Sequence, residues 1–380
     1  VKIALVILRA DIARGGAERY TLDLAAGLQN RGHAVSILAA SFGDFPGSAS
    51  RVVLPAGGWT RTGRYLKFLD SLDRAVDVGG YDIVHAMLPV RRCDVYHPHA
   101  GIAAEAVSEG HLVKSGRLAQ WLAKLGNRFN PRRQKFAEVE RRLLTSADPP
   151  LVLCLSGLIQ QVVRRNYPSL PSGRLRSLFN GIDLGKFDPA LYPAARAEIR
   201  QRLGIAESAI LGLILAQDFE RKGVRQAIEA LAQAADDRLC LLIGGKPDAT
   251  KYRRLAERLG LGGRVIFTGA VDRPAEYYRA VDFFLLPTRF DPCSLVVLES
   301  LAMGLPVIST IKNGACEIMQ DNVHGRVLTD PDDIPTLADA LRQMLEPSTR
   351  ASMASACLSL RPQLSQAHHL ENLTRNYTDV

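Results

Sequence analysis

Hydrophobic positions along the 380-residue chain follow two rhythms that replace each other in turn. Residues 1–8 form a short apolar run rich in Val, Ile and Leu, residues 17–28 carry apolar side chains at helical spacing, and residues 34–40 return to strand-like composition. That succession predicts a βαβ opening. Further runs at 51–54, 82–87 and 151–155 alternate with helical stretches, as a parallel sheet covered on both faces requires. A second set begins at 175–179 and continues through 210–216, 239–243, 265–268, 283–286, 306–309 and 326–328. Residues 168–173, rich in Pro, Ser and Gly, read as the linker, and after Pro347 the pattern is helical to the end. The expectation is an α/β chain of two Rossmann-like, doubly wound domains facing a cleft. They take residues 1–170 and 171–359, with 360–380 crossing back as a helix onto the first.

Composition narrows the class. Hydrophobic residues at 47% and charged residues at 23%, without low-complexity tracts or a repeat period, fit a globular chain and exclude disorder and solenoids. No apolar run approaches the roughly 18 residues of a membrane span, and Arg9 and Asp11 follow the first run where a signal peptide would carry its cleavage site. A soluble or peripheral protein is expected. Cys93, Cys154, Cys240, Cys293, Cys316 and Cys357 are scattered singly, which predicts reduced, mostly core thiols in a cytoplasmic protein. The net charge of +9 favours a polyanionic partner, and nucleic acid, anionic lipid and a phosphorylated substrate all satisfy it.

Three segments carry candidate chemistry. Gly15-Gly16 lies between the first strand and its helix, where a missing Cβ lets backbone N–H groups approach a phosphate or sugar. A plain turn would look the same, and the run lacks the dinucleotide fingerprint, so a nicotinamide site is disfavoured. Arg221-Lys222-Gly223 follows a strand, placing two adjacent cations at its C-terminal end, where they can neutralise a departing diphosphate; the alternative is a solvated loop. The third segment runs Phe290-Asp291-Pro292-Cys293-Ser294-Leu295-Val296-Val297-Leu298-Glu299 and continues to Gly304 and Pro306. Pro292 suits a helix entrance and Gly304 its exit. Glu299 then lies about five residues inside that helix, roughly 7 Å along its axis, so two carboxylates bracket free helix N–H groups.

On these residues the chain resembles the retaining GT-B glycosyltransferases of family 4, within them the branch of the lipopolysaccharide core glucosyltransferase I. The resemblance spans nearly the whole length, through Gly15-Gly16-Ala17-Glu18-Arg19, Asn180-Gly181-Ile182-Asp183, Arg221-Lys222-Gly223 and the two acids eight residues apart that run into Glu299-Ser300-Leu301-Ala302-Met303-Gly304-Leu305-Pro306-Val307. It implies a GT-B fold and transfer of a hexose, glucose first, from a UDP-sugar to a lipid-linked saccharide such as a lipopolysaccharide core. By the same resemblance Arg221 and Lys222 bind the donor diphosphate, Glu299 the ribose, and the backbone of Ser294 and Leu295 lies under the phosphates and sugar. His99, with His97 as second choice, stands near the donor sugar. Asp291 departs from the pattern, because the family usually has Glu there, and its shorter side chain shifts the contact with the sugar or passes it through water, so the resemblance fixes the donor's class more firmly than its sugar.

A retaining reaction without an enzymic nucleophile fits front-face departure and attack, in which the leaving phosphate accepts the acceptor's proton. No Asp-x-Asp is read at a strand end, so no metal is expected, nor any cofactor beyond the UDP-sugar. Residues 111–142 hold nine Lys or Arg against two Glu. There Leu118, Trp121, Leu122 and Leu125 form a helical apolar stripe amid Lys114, Arg117, Lys124 and Arg128. This reads as an interfacial helix on an anionic membrane surface, at the inner face of the cell membrane, against the alternative of a basic face on a soluble enzyme. Scarce aromatics argue against nucleic acid as partner. Two other functions use a similar fold: a nucleotide-sugar epimerase, and a non-catalytic two-lobed sugar-binding protein, which leaves Arg221 and Lys222 without a role.

Overall fold

The computed structural model describes residues 1–12, 15–44, 47–108 and 130–380. These divide into two compact units, one of Val1–Asn180 with Ala367–Val380 and one of Gly181–Gln366.

The first unit contains β1 (Lys2–Val6), α1 (Gly16–Gln29), β2 (Ala34–Ala39), β3 (Ser50–Val53), α2 (Arg61–Gly79), β4 (Ile83–Ala86), β5 (Val95–Tyr96), α3 (Ala103–Ser108), α4 (Pro131–Leu144), β6 (Leu151–Cys154), α5 (Gly157–Asn166) and β7 (Leu175–Ser177). Its seven strands lie in the order β3-β2-β1-β4-β5-β6-β7, every pair parallel. β6 is buried at every position, which is why it reads as a continuous apolar run rather than an alternating one. β5, only two residues long, is too short to leave a periodic signal.

The second unit contains α6 (Ala195–Arg202), β8 (Ile210–Leu215), α7 (Val224–Ala234), β9 (Leu239–Gly244), α8 (Thr250–Arg258), β10 (Val265–Gly269), α9 (Pro274–Ala280), β11 (Phe283–Leu286), α10 (Leu295–Ala302), β12 (Val307–Thr310), β13 (Gly325–Leu328), α11 (Ile334–Gln343), α12 (Pro347–Ser359) and α13 (Arg361–Leu364). Its sheet has the order β10-β9-β8-β11-β12-β13, again all parallel. In each sheet the strand that comes first in sequence, β1 or β8, has later strands on both sides. The strand order therefore reverses between β1 and β4 and between β8 and β11, and doubly wound sheets open a ligand crevice at the carboxyl ends of the strands at such a point.

The last helix, α14 (Gln366–Tyr377), belongs to the first unit from residue 367 onward. Its Leu370, Leu373 and Tyr377 join Leu24, Leu28, Ile37 and Ile83 in one buried cluster. Gly27 on α1 makes room for it, because a Cβ there would run into the Leu370 side chain.

Two boundaries expected from the sequence are corrected. The run at 175–179 is not the first strand of the second domain: β7 pairs with β6 and closes the first sheet, so the division falls after Asn180 rather than after residue 170. Residues 360–366 stay with the second unit, where Ile182 N–H donates to the Leu364 carbonyl at 2.7 Å and Gln366 N–H to the Ile182 carbonyl at 2.9 Å. Composition at 168–173 marked a surface turn, and only strand pairing shows on which side of the division that turn lies.

Candidate functional site

The loops that leave β8 and β11, the two strands flanking the reversal in the second sheet, bring Arg221 and Lys222 against Phe290 and Asp291. After β8 the chain turns through Asp218 to Gly223 and enters α7. Gly223 has φ +77°, and a Cβ there would collide with the Pro287 carbonyl, so both backbone conformation and space require glycine. The tight turn sets the side chains of Arg221 and Lys222 against the loop after β11. Lys222 Nζ is hydrogen-bonded to Asp291 Oδ2, both side chains nearly buried. Burial pushes the Lys222 ammonium below its usual range, and the Asp291 carboxylate beside it works in the opposite direction. Arg221 donates from Nη1 to the Phe290 carbonyl at 3.1 Å and lies 3.6 Å from Asp218.

Ser294 occupies the cap position of α10, and Glu299 is the fifth residue of that helix. The first turn of an α-helix offers N–H groups without intrahelical partners at the positive end of the helix dipole, here those of Leu295 and Val296, since Val297 N–H already donates to the Ser294 carbonyl. Glu299 Oε2 accepts the Tyr278 hydroxyl at 2.7 Å, and the same hydroxyl lies 3.3 Å from the Val296 carbonyl. Tyr278, on α9, is fully buried.

Three supporting residues were not singled out from the sequence. Asn313 Oδ1 accepts the N–H groups of Ser294 at 3.3 Å and Ala315 at 3.2 Å, and its Nδ2 donates to Ser309 Oγ at 3.2 Å. Thr288 donates to the Arg221 carbonyl at 3.1 Å, tying the two site loops together. Tyr278 is the third. Asn313-Gly314 is a turn dipeptide that offered a faint signal; Thr288 and Tyr278 look like ordinary strand-end and core residues.

In the first unit Gly15 precedes α1 in an extended conformation, and Gly16 begins the helix. A Cβ at Gly15 would meet nothing nearer than Glu18 Oε2 at 3.4 Å, an ordinary contact, so the chain's own packing does not demand glycine there. His99 follows β5 at the carboxyl edge of the sheet, its ring 4.0 Å from that of Tyr20 and 4.3 Å from that of His97. His97 is completely buried, stacks with His85 at 5.4 Å, and neither of its ring nitrogens meets a protein partner. His85 Nδ1 and the Tyr377 hydroxyl are 2.7 Å apart, and His369 Nε2 and the Tyr20 hydroxyl 2.9 Å. Burial, with the neighbouring imidazoles adding to it, holds His97 and His99 well below the usual histidine range and His85 at about 3, while burial takes His369 to about 4. His99 is thus one of four imidazoles in one cluster rather than a solitary group.

Lys114, Arg117, Leu118, Trp121, Leu122, Lys124, Leu125 and Arg128 lie outside the described residues. Contrary to the sequence reading, one Asp-x-Asp does follow a strand: Asp330-Pro331-Asp332, beyond β13. Its carboxylates are otherwise engaged, Asp332 with Gln226 at 2.7 Å and with Arg289, Asp330 with the Asp332 N–H at 2.9 Å. Among the described residues no three His, Cys, Asp or Glu side chains gather as a metal site, and no helix is long and apolar enough to cross a membrane.

Two doubly wound parallel sheets of this order are the architecture of the GT-B glycosyltransferases. Residues 14–186 match the family model described as Glycosyltransferase Family 4 and residues 195–356 that described as Glycosyl transferases group 1. The chain belongs to the GT-B glycosyltransferases, in family 4. It is 27% identical to the lipopolysaccharide glucosyltransferase WaaG of Escherichia coli (strain K12) over 338 residues, 88% of this chain and 87% of that one. The crystal structure of WaaG, a glycosyltransferase involved in lipopolysaccharide biosynthesis, superposes with a TM-score of 0.81 at 25% identity, covering 98% of both chains. A GDP-mannose-dependent alpha-(1-6)-phosphatidylinositol monomannoside mannosyltransferase of Mycobacterium tuberculosis (strain CDC 1551 / Oshkosh) is 32% identical over 193 residues, 48% of this chain and 49% of that one.

Proposed function

We propose that the chain is a retaining, metal-independent hexosyltransferase that moves glucose from UDP-glucose onto a lipid-linked saccharide of the lipopolysaccharide core type, working from the cytoplasmic face of the membrane. The observation that carries this reading is the convergence of Arg221, Lys222, Asp291 and the first turn of α10 at the strand reversal of the second sheet. The name of the WaaG relative supports the sugar and the acceptor.

The chemistry assigned to these residues is electrostatic. When the bond between the anomeric carbon and the diphosphate breaks, negative charge gathers on the leaving phosphate, and Arg221, Lys222 and the α10 N–H groups are placed to receive it. That phosphate oxygen then takes the proton of the acceptor hydroxyl, which attacks from the same face, so the configuration is retained. Asp291 neutralises Lys222. An arriving diphosphate repels the carboxylate and takes over the ammonium, which frees Asp291 for a sugar hydroxyl. Glutamate would reach a methylene further; aspartate keeps its carboxylate at Lys222 and leaves more room for the sugar. Glu299, held by Tyr278, takes the ribose hydroxyls.

A second donor has a specific observation behind it. The mycobacterial relative is GDP-mannose-dependent, and a ribose-binding Glu299 serves guanosine as well as uridine. A ligand bound only by the folded state raises stability by mass action, so thermal unfolding against a panel of nucleotide sugars separates the two. UDP-glucose is expected to give the largest shift. A larger shift with GDP-mannose replaces the donor, and conversion of UDP-glucose to an isomer without acceptor replaces transfer by epimerisation.

A further inference from the structure

Four arginines gather at the carboxyl edge of the first sheet without a carboxylate to answer them. Arg9 stands in the loop after β1, at the point where the strand order reverses. Arg61 and Arg64 lie on the first turn of α2, and Arg132 on the first turn of α4. Both helices lead into strands of the same parallel sheet, β4 and β6, so both direct their N-termini to that edge. The stacked rings of Tyr65 and Phe136, 4.1 Å apart, join the N-terminal parts of the two helices, and the Arg132 guanidinium covers Phe136 at 5.3 Å. Arg9, Arg61 and Arg64 are close enough to push the half-buried Arg132 below the usual arginine range, second only to its burial. Among the described residues, none of the four forms an ion pair.

This arrangement works against the stability of the free protein. A helix N-terminus favours acidic residues in its first turn, yet neither α2 nor α4 has one there, and both carry arginines instead. Like charges beside the positive ends of two helix dipoles repel unless an anion binds between them. Two other exposed arginines of the first unit show the ordinary arrangement: Arg91 meets both Asp70 and Asp73, and Arg92 meets Asp77. Four guanidiniums suit a dianion better than a single carboxylate, and guanidinium pairs with phosphate through two parallel hydrogen bonds.

We propose that Arg9, Arg61, Arg64 and Arg132 form a binding site for a phosphate monoester carried by the acceptor saccharide. The proposal rests on the reading of the chain as a saccharide-modifying transferase and names a chemical mark that its acceptor bears. The position favours a saccharide over a lipid headgroup, because the arginines line the edge at which this class of sheet takes its ligand rather than an outer helix face. The phosphate contributes no bond-making step; it orients the acceptor hydroxyl.

The test is calorimetric titration of the full chain, saturated with UDP to occupy the donor site, with glucose 6-phosphate and with glucose. Glucose 6-phosphate is expected to bind and glucose to show no heat. Binding should weaken roughly tenfold or more in the Arg61→Ala/Arg64→Ala double variant and again in Arg9→Ala/Arg132→Ala, with UDP affinity unchanged as the check on folding. Arg64→Lys keeps a charge and should lose less than Arg64→Ala. Equal glucose 6-phosphate affinity in wild type and both double variants overturns the site. So does loss of binding to phosphatidylglycerol vesicles with sugar-phosphate binding intact, which assigns the arginines to the membrane. Failure of UDP itself to bind wild type would count against the transferase reading, and the glucose 6-phosphate arms would still decide the arginine site.

Discussion

Lys222 is held between two opposing demands. Burial disfavours its charge, while the Asp291 carboxylate beside it favours it. A contact realised mainly as charge develops in the transition state is worth about 3 kcal/mol, so Lys222→Ala should lower turnover by roughly 100-fold, measured by steady-state kinetics of a variant shown to be folded. Near-wild-type turnover would remove Lys222 from the mechanism. Tyr278 acts one step back, fixing the Glu299 carboxylate through its hydroxyl at 2.7 Å. Tyr278→Phe keeps the buried ring and removes that bond. UDP affinity should fall by about tenfold, an effect of roughly 1.4 kcal/mol, whereas 2′,3′-dideoxyuridine diphosphate, lacking the ribose hydroxyls, should bind both proteins alike. Equal weakening of both ligands would mean that Tyr278 merely packs. The catalytic candidates were legible in the sequence because cations and acids at a strand end or helix start have few structural uses. Tyr278 and Thr288 were not, since nothing in their local sequence separates a hydroxyl that positions a neighbour from one that fills a core.

Most strands of both sheets were legible for the same reason at larger scale: buried parallel strands read as runs rich in Val, Ile and Leu. β7 shows where that stops. Its residues announce a strand, but only pairing with β6 tells which sheet receives it. Glu140 on α4 shows another limit, because the sequence counts it among surface charges of a basic segment, whereas it is fully buried. Its carboxylate accepts the Tyr96 and Tyr167 hydroxyls at 2.6 and 2.9 Å and the N–H groups of Ala103 and Ala104 at 3.0 and 3.1 Å. It thereby joins α4 to β5 and to the start of α3. Burial raises the pKa of this carboxyl, with those four bonds opposing. Glu140→Ala strands two buried hydroxyls and two part-buried N–H groups and should cost about 3 kcal/mol in chemical denaturation. A loss within about 0.5 kcal/mol, the range of an ordinary surface change, would show that the four bonds contribute little.

Over the whole molecule, the chain completes its first unit only with its last residues. α14 supplies Leu370, Leu373 and Tyr377 to the core of that unit and His369 to the imidazole cluster. The cluster makes stability depend on pH in one direction. His85 and His369 titrate near 3 and 4 in the folded chain, below the ordinary 6.5, because burial disfavours the charged ring. The unfolded chain therefore binds protons that the folded one refuses. This stability is fully present above about pH 6.5 and is lost as pH falls toward 4 and then 3, by about 1.4 kcal/mol per pH unit for each such ring. Urea unfolding at pH 7.5 and pH 5 should show a clear drop in midpoint, with loss of protection in α14 by hydrogen exchange. An unchanged midpoint would mean the rings are reached by water. The central claim is tested most directly by incubating the full chain with UDP-glucose and purified lipopolysaccharide truncated to its inner core, then reading the anomeric configuration of the product by NMR. The account predicts glucose transferred in α linkage, the configuration it has in the donor, while a β-linked product, or no transfer from any nucleotide sugar tried, would contradict it.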